Sequence, residues 1–179
     1  PTYGTVALAG YYLSHDGKYM AYTIQDGGSD WREAKVIEVE SGKLLDDQLE
    51  WLKFTDLSWA ADGSGFYYSR YPATSAEEKF QSLNKNMTVN FHRLGTVQDE
   101  DRVVYARPDH ADWGPRGSVT DDGAHLVISI SVGTDERYSI VHQDLRHPDS
   151  TPVTLIEGFD YDYLLIGNIG DELYFRTNN

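Results

Sequence analysis

Cysteine is absent from the 179 residues, which excludes a disulfide framework, a thiolate metal site and a cysteine nucleophile, and leaves the redox compartment open. Positive charge is scarce: 15 Lys and Arg against 29 Asp and Glu give a formal charge of −14. Nucleic acid is therefore not an expected partner, because phosphate binding needs a basic surface that releases counterions. Anionic membrane surfaces are disfavoured on the same ground. No apolar run approaches the ~18 residues of a membrane span, and residues 1–15 carry neither the charged start nor the apolar core of a signal peptide. Compartment stays open between cytoplasm and periplasm. Helical periodicity is nearly missing as well. Aromatic area is what the chain has in quantity, with 4 Trp, 13 Tyr and 6 Phe making up 13% of it. That is enough to build one substantial core and argues against disorder.

Self-similarity is the strongest pattern. Four segments, Gly10–Tyr22, Leu57–Ser69, Gly117–Ser129 and Leu165–Thr177, each place a tight Asp/Gly turn between two β-rich runs. The turns are Asp16-Gly17, Asp62-Gly63, Asp122-Gly123 and, in reversed order, Gly170-Asp171, spaced by 46, 60 and 48 residues. Asp-Gly between such runs signals a hairpin, and a period of ~40–50 residues with four strands per unit is that of a β-propeller blade.

The strands read as Ala7–Leu13, Tyr19–Gln25, Trp31–Val39 and Trp51–Phe54 in the first unit. The second has Leu57–Ala60, Phe66–Ser69, Thr88–Leu94 and Arg102–Tyr105; the third has Ser118–Thr120, His125–Ser131, Tyr138–Leu145 and Val153–Ile156. A fourth begins at Tyr161 and stops after two strands. Blades are expected at about 6–54, 55–106 and 114–157, with the start of another over 158–179. The fold class is all-β: a partial propeller of about three and a half four-stranded antiparallel blades. Rings close with ~4–8 blades, so the chain is expected to be part of a larger protein. Residues Tyr71–Asn86 read as a long loop with one helical turn near Ala76–Phe80, and loops of that length are ordinarily functional or disordered.

The stretches GYYLSHDGKYMAY, GSDWREAKVIEVESGK, LEWLKFTDLSWAADGSGFYYSRYP, NFHRLGT, DWG and VTDDGAHLVISISVGTD resemble the β-propeller of prolyl oligopeptidases in motif order and gaps over nearly the whole chain. The resemblance implies a seven-bladed propeller capping an α/β-hydrolase domain with a Ser/Asp/His triad. The implied activity is cleavage of short peptides after proline, the propeller limiting access to small substrates. No catalytic residue is expected in these 179 residues. A nucleophile elbow needs Gly-x-Ser-x-Gly, and Gly63-Ser64-Gly65 is too compressed. The expected partners are the α/β-hydrolase domain of the same parent chain and short proline-containing peptides.

Alternation of strand direction puts the Asp/Gly turns on one face of the disc. The opposite face collects Asp26–Asp30, Phe54–Asp56, Arg70–Asn86, Arg107–Arg116 and Ser131–Arg137, and the resemblance implies that this face meets the hydrolase domain. It makes Phe54 and Thr134 lining residues of an outer substrate subsite. Ser131 and Gly114 stand where the family pattern has an arginine and a methionine, implying a roomier, less basic subsite. Asp30 is implied to pair across the domain interface. Tyr71, with its loop, and Trp113 are assigned to interface or gating.

Plainer readings stand beside these. A Phe at a strand end is ordinarily core, and Asp30 before Trp31 can be a turn residue bonding its own backbone. The long loop can be a solvated excursion. All six histidines are expected at the surface or in strand packing, His92 among the packed ones, since zinc needs three or four convergent ligands. Asp46-Asp47, Asp99-Glu100-Asp101 and Asp121-Asp122 are expected as solvated turns, because no calcium-loop spacing is present. No metal or cofactor is expected. Trp31, Trp51, Trp59 and Trp113 are expected between blades. The competing function class is a non-enzymatic module, a partial propeller that self-assembles or binds a partner strand.

Overall fold

The computed structural model describes residues 5–73 and 84–179. The helical turn expected near Ala76–Phe80 lies outside the described residues. Four antiparallel sheets follow one another along the chain. The first holds β1 (Ala7–Leu13), β2 (Tyr19–Gln25), β3 (Arg32–Glu38) and β4 (Leu44–Leu52), paired in that order. The second holds β5 (Ser58–Trp59), β6 (Gly65–Arg70), β7 (Thr88–Arg93) and β8 (Arg102–Tyr105). The third holds β9 (Trp113–Val119), β10 (His125–Val132), β11 (Ser139–Asp144) and β12 (Val153–Ile156). A last hairpin pairs β13 (Tyr163–Ile169) with β14 (Glu172–Thr177). The only helical element among the described residues is a 3₁₀ turn, Gln98–Glu100. The sheets do not close on themselves; this is a partial propeller.

Period-two alternation explains the stacking. On β6, Phe66 and Tyr68 point to the first sheet and join Ala21, Ala34, Val36, Leu49, Leu52 and Trp59. Their neighbour Tyr67 points the other way and packs with Val89, Leu126, Ile128, Ile130 and Val141 of the second and third sheets. A sheet covered on both faces needs apolar residues at every position, and β6 is buried from Gly65 through Ser69. Trp59 fastens the first pair of sheets: it stacks on Tyr19, meets Phe66 edge-on and donates Nε1–H to Tyr12 O at 2.9 Å. Burying one such aromatic stabilises by roughly 1.5–3 kcal/mol. The outermost faces stay uncovered. Leu8, Tyr11 and Leu13 are exposed on the first sheet, as are Leu164, Ile166 and Ile169 on the last.

The three Asp-Gly turns share one construction. A four-residue loop is closed by Ser14 N–H to Tyr19 O, Ala60 N–H to Gly65 O and Thr120 N–H to His125 O, all at 2.9 Å. Within each loop the Asp carboxylate accepts a backbone N–H two residues on, at 2.9–3.0 Å. The glycine takes the left-handed φ of 68–72° that an L side chain resists. Gly170-Asp171 differs: it is a two-residue turn directly between Ile169 and Glu172.

Two strands depart from expectation. β4 runs over Leu44–Leu52 rather than Trp51–Phe54, because it carries irregularities opposite β3 that break its alternation. β9 begins at Trp113, five residues before the expected Ser118. Pro115 is tolerated there because β9 is an edge strand and needs no outward donor.

Candidate functional site

Chain reversal places the described parts of the connections, 26–31, 53–57, 71–73 with 84–87, 106–112 and 133–138, at one end of the sheets. The densest group of side chains there is aromatic. Trp31 meets Trp51 edge-on at 5.7 Å and Tyr71 edge-on at 6.0 Å between ring centroids, and buried Met87 completes the cluster. Tyr71 also donates its backbone N–H to Trp51 O at 3.1 Å. Burial raises the proton affinity of the Tyr71 phenol, with the Arg116 charge working against it. Tyr71 is thus part of the packing under this surface.

Phe54 lies beyond the end of β4, 43% exposed, with φ at 55°. Three residues earlier Trp51 has φ at 65°, where the second irregularity of β4 turns the chain. Left-handed backbone in non-glycine residues costs roughly 1–2 kcal/mol each and persists only where surroundings impose it. Around Phe54 the surroundings are two arginines: Arg116 Nε donates to Phe54 O at 2.7 Å and Arg32 Nη1 to Thr55 O at 3.4 Å. Lys53 sits between, its ammonium 5.2 Å from the Trp31 ring centre and 5.1 Å from that of Phe54. It also lies 3.6 Å from the exposed carboxylate of Asp30. Such contacts contribute about 0.5–1 kcal/mol each at exposed sites.

The other candidates fall into two places. Gly114 and Ser131 are directly opposite on β9 and β10. A Cβ at Gly114 would come 3.7 Å from Ser131 Oγ and 3.8 Å from Met87 Sδ, so this pair borders the aromatic cluster. Ser131 is buried. Thr134 is exposed on the turn between β10 and β11. Trp113 anchors a separate stack: His110 lies parallel to it at 4.1 Å, Arg107 covers it at 4.6 Å and Phe159 meets it edge-on at 5.2 Å. One face therefore holds Asp30, Phe54, Gly114 and Ser131 around Trp31, Tyr71 and Met87, with Thr134 and Trp113 beside it.

Sequence reasoning gave no role to Lys53, Arg116 and Met87, and put Trp51 only among the tryptophans between blades. The adjacent pair Lys53-Phe54 is a usable signal for the first, since a cation beside an aromatic can lie over its face, whereas its other ring, Trp31, comes from a distant part of the chain. Two acidic clusters need correction. Asp47 is buried in β4 and Asp101 has a buried carboxylate; both bond to His92, at 3.0 and 2.7 Å. They are partners of a buried histidine and not solvated turns. His125 and His142 bond to each other at 2.9 Å, and His125 Nε2–H reaches Gly170 O at 2.9 Å. No group of three or more His, Asp or Glu side chains able to hold a metal ion is present among the described residues.

The family described as prolyl oligopeptidase, N-terminal β-propeller domain, matches residues 1–179. Prolyl oligopeptidase A of Amanita bisporigera is 32% identical over 98% of this chain, which spans 26% of that protein. The prolyl endopeptidase of Elizabethkingia meningoseptica is 32% identical over 98% of this chain and 24% of its own length. Among solved structures, a prolyl endopeptidase studied for inter-domain dynamics in catalysis and specificity superposes with a TM-score of 0.88 at 36% identity, over 97% of this chain and 24% of its own. Prolyl oligopeptidase B from Galerina marginata, bound to a 35mer hydrolysis and macrocyclization substrate, superposes at 0.89 with 25% identity, over 99% and 26%. The chain spans about a quarter of the length of these relatives.

Proposed function

The chain belongs to the prolyl oligopeptidase N-terminal β-propeller family, and from that premise we propose that it is the substrate-gating propeller portion of a serine peptidase cleaving short peptides after proline. The remaining blades of a seven-bladed ring and an α/β-hydrolase domain carrying the triad complete the enzyme; this portion alone is inactive. Blade limits near 6–54, 55–106, 114–157 and 158–179 belong to the same reading. The observation that carries it is Phe54: an aromatic ring kept exposed on a left-handed backbone, held by Arg116 and Arg32, at the end of the sheets where loops converge. A ring retained at such cost is better suited to contacting a ligand or second domain than to core packing. In this reading Phe54 and Thr134 line an outer subsite with Ser131 and Gly114 behind them. Asp30, Tyr71 and Trp113 belong to the interface with the hydrolase domain.

The test uses the intact protein and proline-containing peptides of increasing length. Phe54→Ala is expected to raise KM for peptides that extend several residues before the proline, and to spare the shortest substrates. Equal kinetics for both variants on every length removes Phe54 from the subsite.

A second reading, a self-assembling non-enzymatic partial propeller, is favoured by the apolar outer faces at Leu8, Tyr11 and Leu13 and at Leu164, Ile166 and Ile169. In the enzyme those faces abut further blades. The denatured mass of the protein from its natural source separates the two. A mass several times 20.2 kDa supports the enzyme, and a mass near that value supports the module.

A further inference from the structure

His92 lies on β7 with no exposed side-chain surface, wedged between the first and second sheets. Its Nδ1 is 2.7 Å from Asp101 Oδ1 and its Nε2 is 3.0 Å from Asp47 Oδ1. Carboxylate oxygens only accept, so both ring nitrogens must donate, and only the imidazolium has two N–H groups. The carboxylates are committed elsewhere as well. Asp47 Oδ1 accepts the Gly95 N–H at 2.6 Å, and Asp101 Oδ2 accepts the Tyr68 hydroxyl at 2.7 Å. Tyr68 in turn accepts from Gln98 Nε2, and Gln98 bonds both the N–H and the C=O of Glu50 on β4 at 3.0 Å. The second sheet and its 3₁₀ turn thus grip β4 at Asp47 and at Glu50, immediately before the left-handed Trp51.

We propose that the Asp47–His92–Asp101 triad is a charge-dependent lock between the first two sheets that positions the end of β4, and with it Trp51, Lys53 and Phe54. Its functional half rests on the outer-subsite reading of Phe54. His92 is a positioning residue: it touches no substrate in this arrangement and acts through β4. The groups facing it are Asp47 from β4, Asp101 from the segment before β8, Tyr68 from β6 through Asp101, and the Phe66 ring from β6. Asp46, Glu50, Arg93, Asp99, Glu100 and Arg102 on the same elements are exposed. Burial works against the charge on His92, but the hydrogen bonds and charges of Asp101 and Asp47 outweigh it and raise its proton affinity above that of an ordinary histidine. A raised affinity means that the lock is fully engaged below the histidine's unfolded pKa and released as pH climbs through its folded one. Deprotonation sets a nitrogen lone pair against a buried carboxylate.

Hydrogen exchange by mass spectrometry on the intact protein tests this without any substrate. The Leu44–Phe54 peptide, followed from about pH 6 to about pH 9.5 and corrected for intrinsic base catalysis, is expected to lose protection by about tenfold or more, the effect of losing one charge-assisted hydrogen bond. The β2 peptide, Tyr19–Gln25, which carries no His, Asp or Glu, serves as reference. In His92→Gln the pH dependence of the Leu44–Phe54 peptide is expected to vanish. Protection of that peptide running parallel to the reference in the unsubstituted protein overturns the lock, and this result stands even if His92→Gln does not fold. For positioning, Asp47→Asn is expected to raise KM for long proline peptides with kcat on the shortest ones unchanged; a uniform fall in kcat for all lengths overturns it. Absence of proline-peptide hydrolysis by the unsubstituted protein strikes the proposed enzyme and leaves the exchange result intact.

Discussion

Gly123→Ala, set against Gly17→Ala, measures how closely neighbouring sheets approach. Both glycines occupy the same place in equivalent turns, with φ of 72° and 68°. A Cβ on Gly17 meets nothing within 4 Å; on Gly123 it would lie 2.1 Å from Ala61 Cβ and 3.4 Å from Ala61 Cα in the equivalent turn of the second sheet. Left-handed backbone costs an alanine roughly 1–2 kcal/mol, and the stiffer unfolded chain returns about 0.4–1 kcal/mol. Those two effects are common to both sites and cancel in the comparison. Only Gly123→Ala adds an overlap that the backbone of Ala61 must move to relieve, worth about 1–3 kcal/mol. Gly17→Ala should therefore destabilise by about 1 kcal/mol, and Gly123→Ala by roughly 2–4 kcal/mol.

Urea unfolding followed by tryptophan fluorescence gives both values, provided the slopes of the transitions stay equal. Trp59, packed between the first two sheets, reports on the region concerned. Equal destabilisation by the two substitutions would refute the face-to-face stacking of the second and third sheets at this end, because the overlap exists only if the turns touch.

Two further outcomes follow from the side chains. His142 has its proton affinity lowered by burial and by the neighbouring His125, so its contribution holds above the unfolded pKa and is lost as pH falls through the folded one, opposite in sense to His92. A thermal-unfolding series from pH 7 toward pH 5 should be shallower in His142→Gln than in the unsubstituted protein; an unchanged series contradicts the assignment. At Phe54, glycine relieves the left-handed backbone that alanine retains, so Phe54→Gly should be more stable than Phe54→Ala by about 1 kcal/mol, with the same loss of long-peptide selectivity. Alanine equal to or more stable than glycine in urea unfolding removes the claim of strain.

Hairpins were the most legible part of the fold. Asp-Gly turns and two-faced apolar strands are local signals, and β1, β2, β8 and β12 fall where the alternation puts them. β4 and β9 escaped for opposite reasons. In β4 the pair Asp46-Asp47 reads as a turn, yet Asp47 points inward because His92, distant in sequence, supplies a charge. In β9 the residues Gly114-Pro115 read as loop, and only the edge position reconciles the proline with strand geometry. Both failures come from long-range partners that no short window contains.

At the candidate site the same division holds, and it marks what a sequence can carry. The positions of Phe54, Asp30, Gly114 and Ser131 at one end of the sheets follow from counting strands, because each connection alternates between ends. Their mutual roles do not. Ser131 lies buried against Gly114 because its register on β10 turns it inward, a fact fixed by the β9 start that was misjudged. Lys53 reaches two aromatic rings and Asp30 on a stretch where Trp51 and Phe54 both take a left-handed backbone, and neither residue type announces that conformation. At Phe54 that conformation is held by arginines from β3 and β9 bonding the carbonyls of Phe54 and Thr55. The site is therefore assembled by three sheets acting on one short turn. A change in β9 at Arg116, more than sixty residues away along the chain, should reach Phe54 more directly than most changes in its own strand.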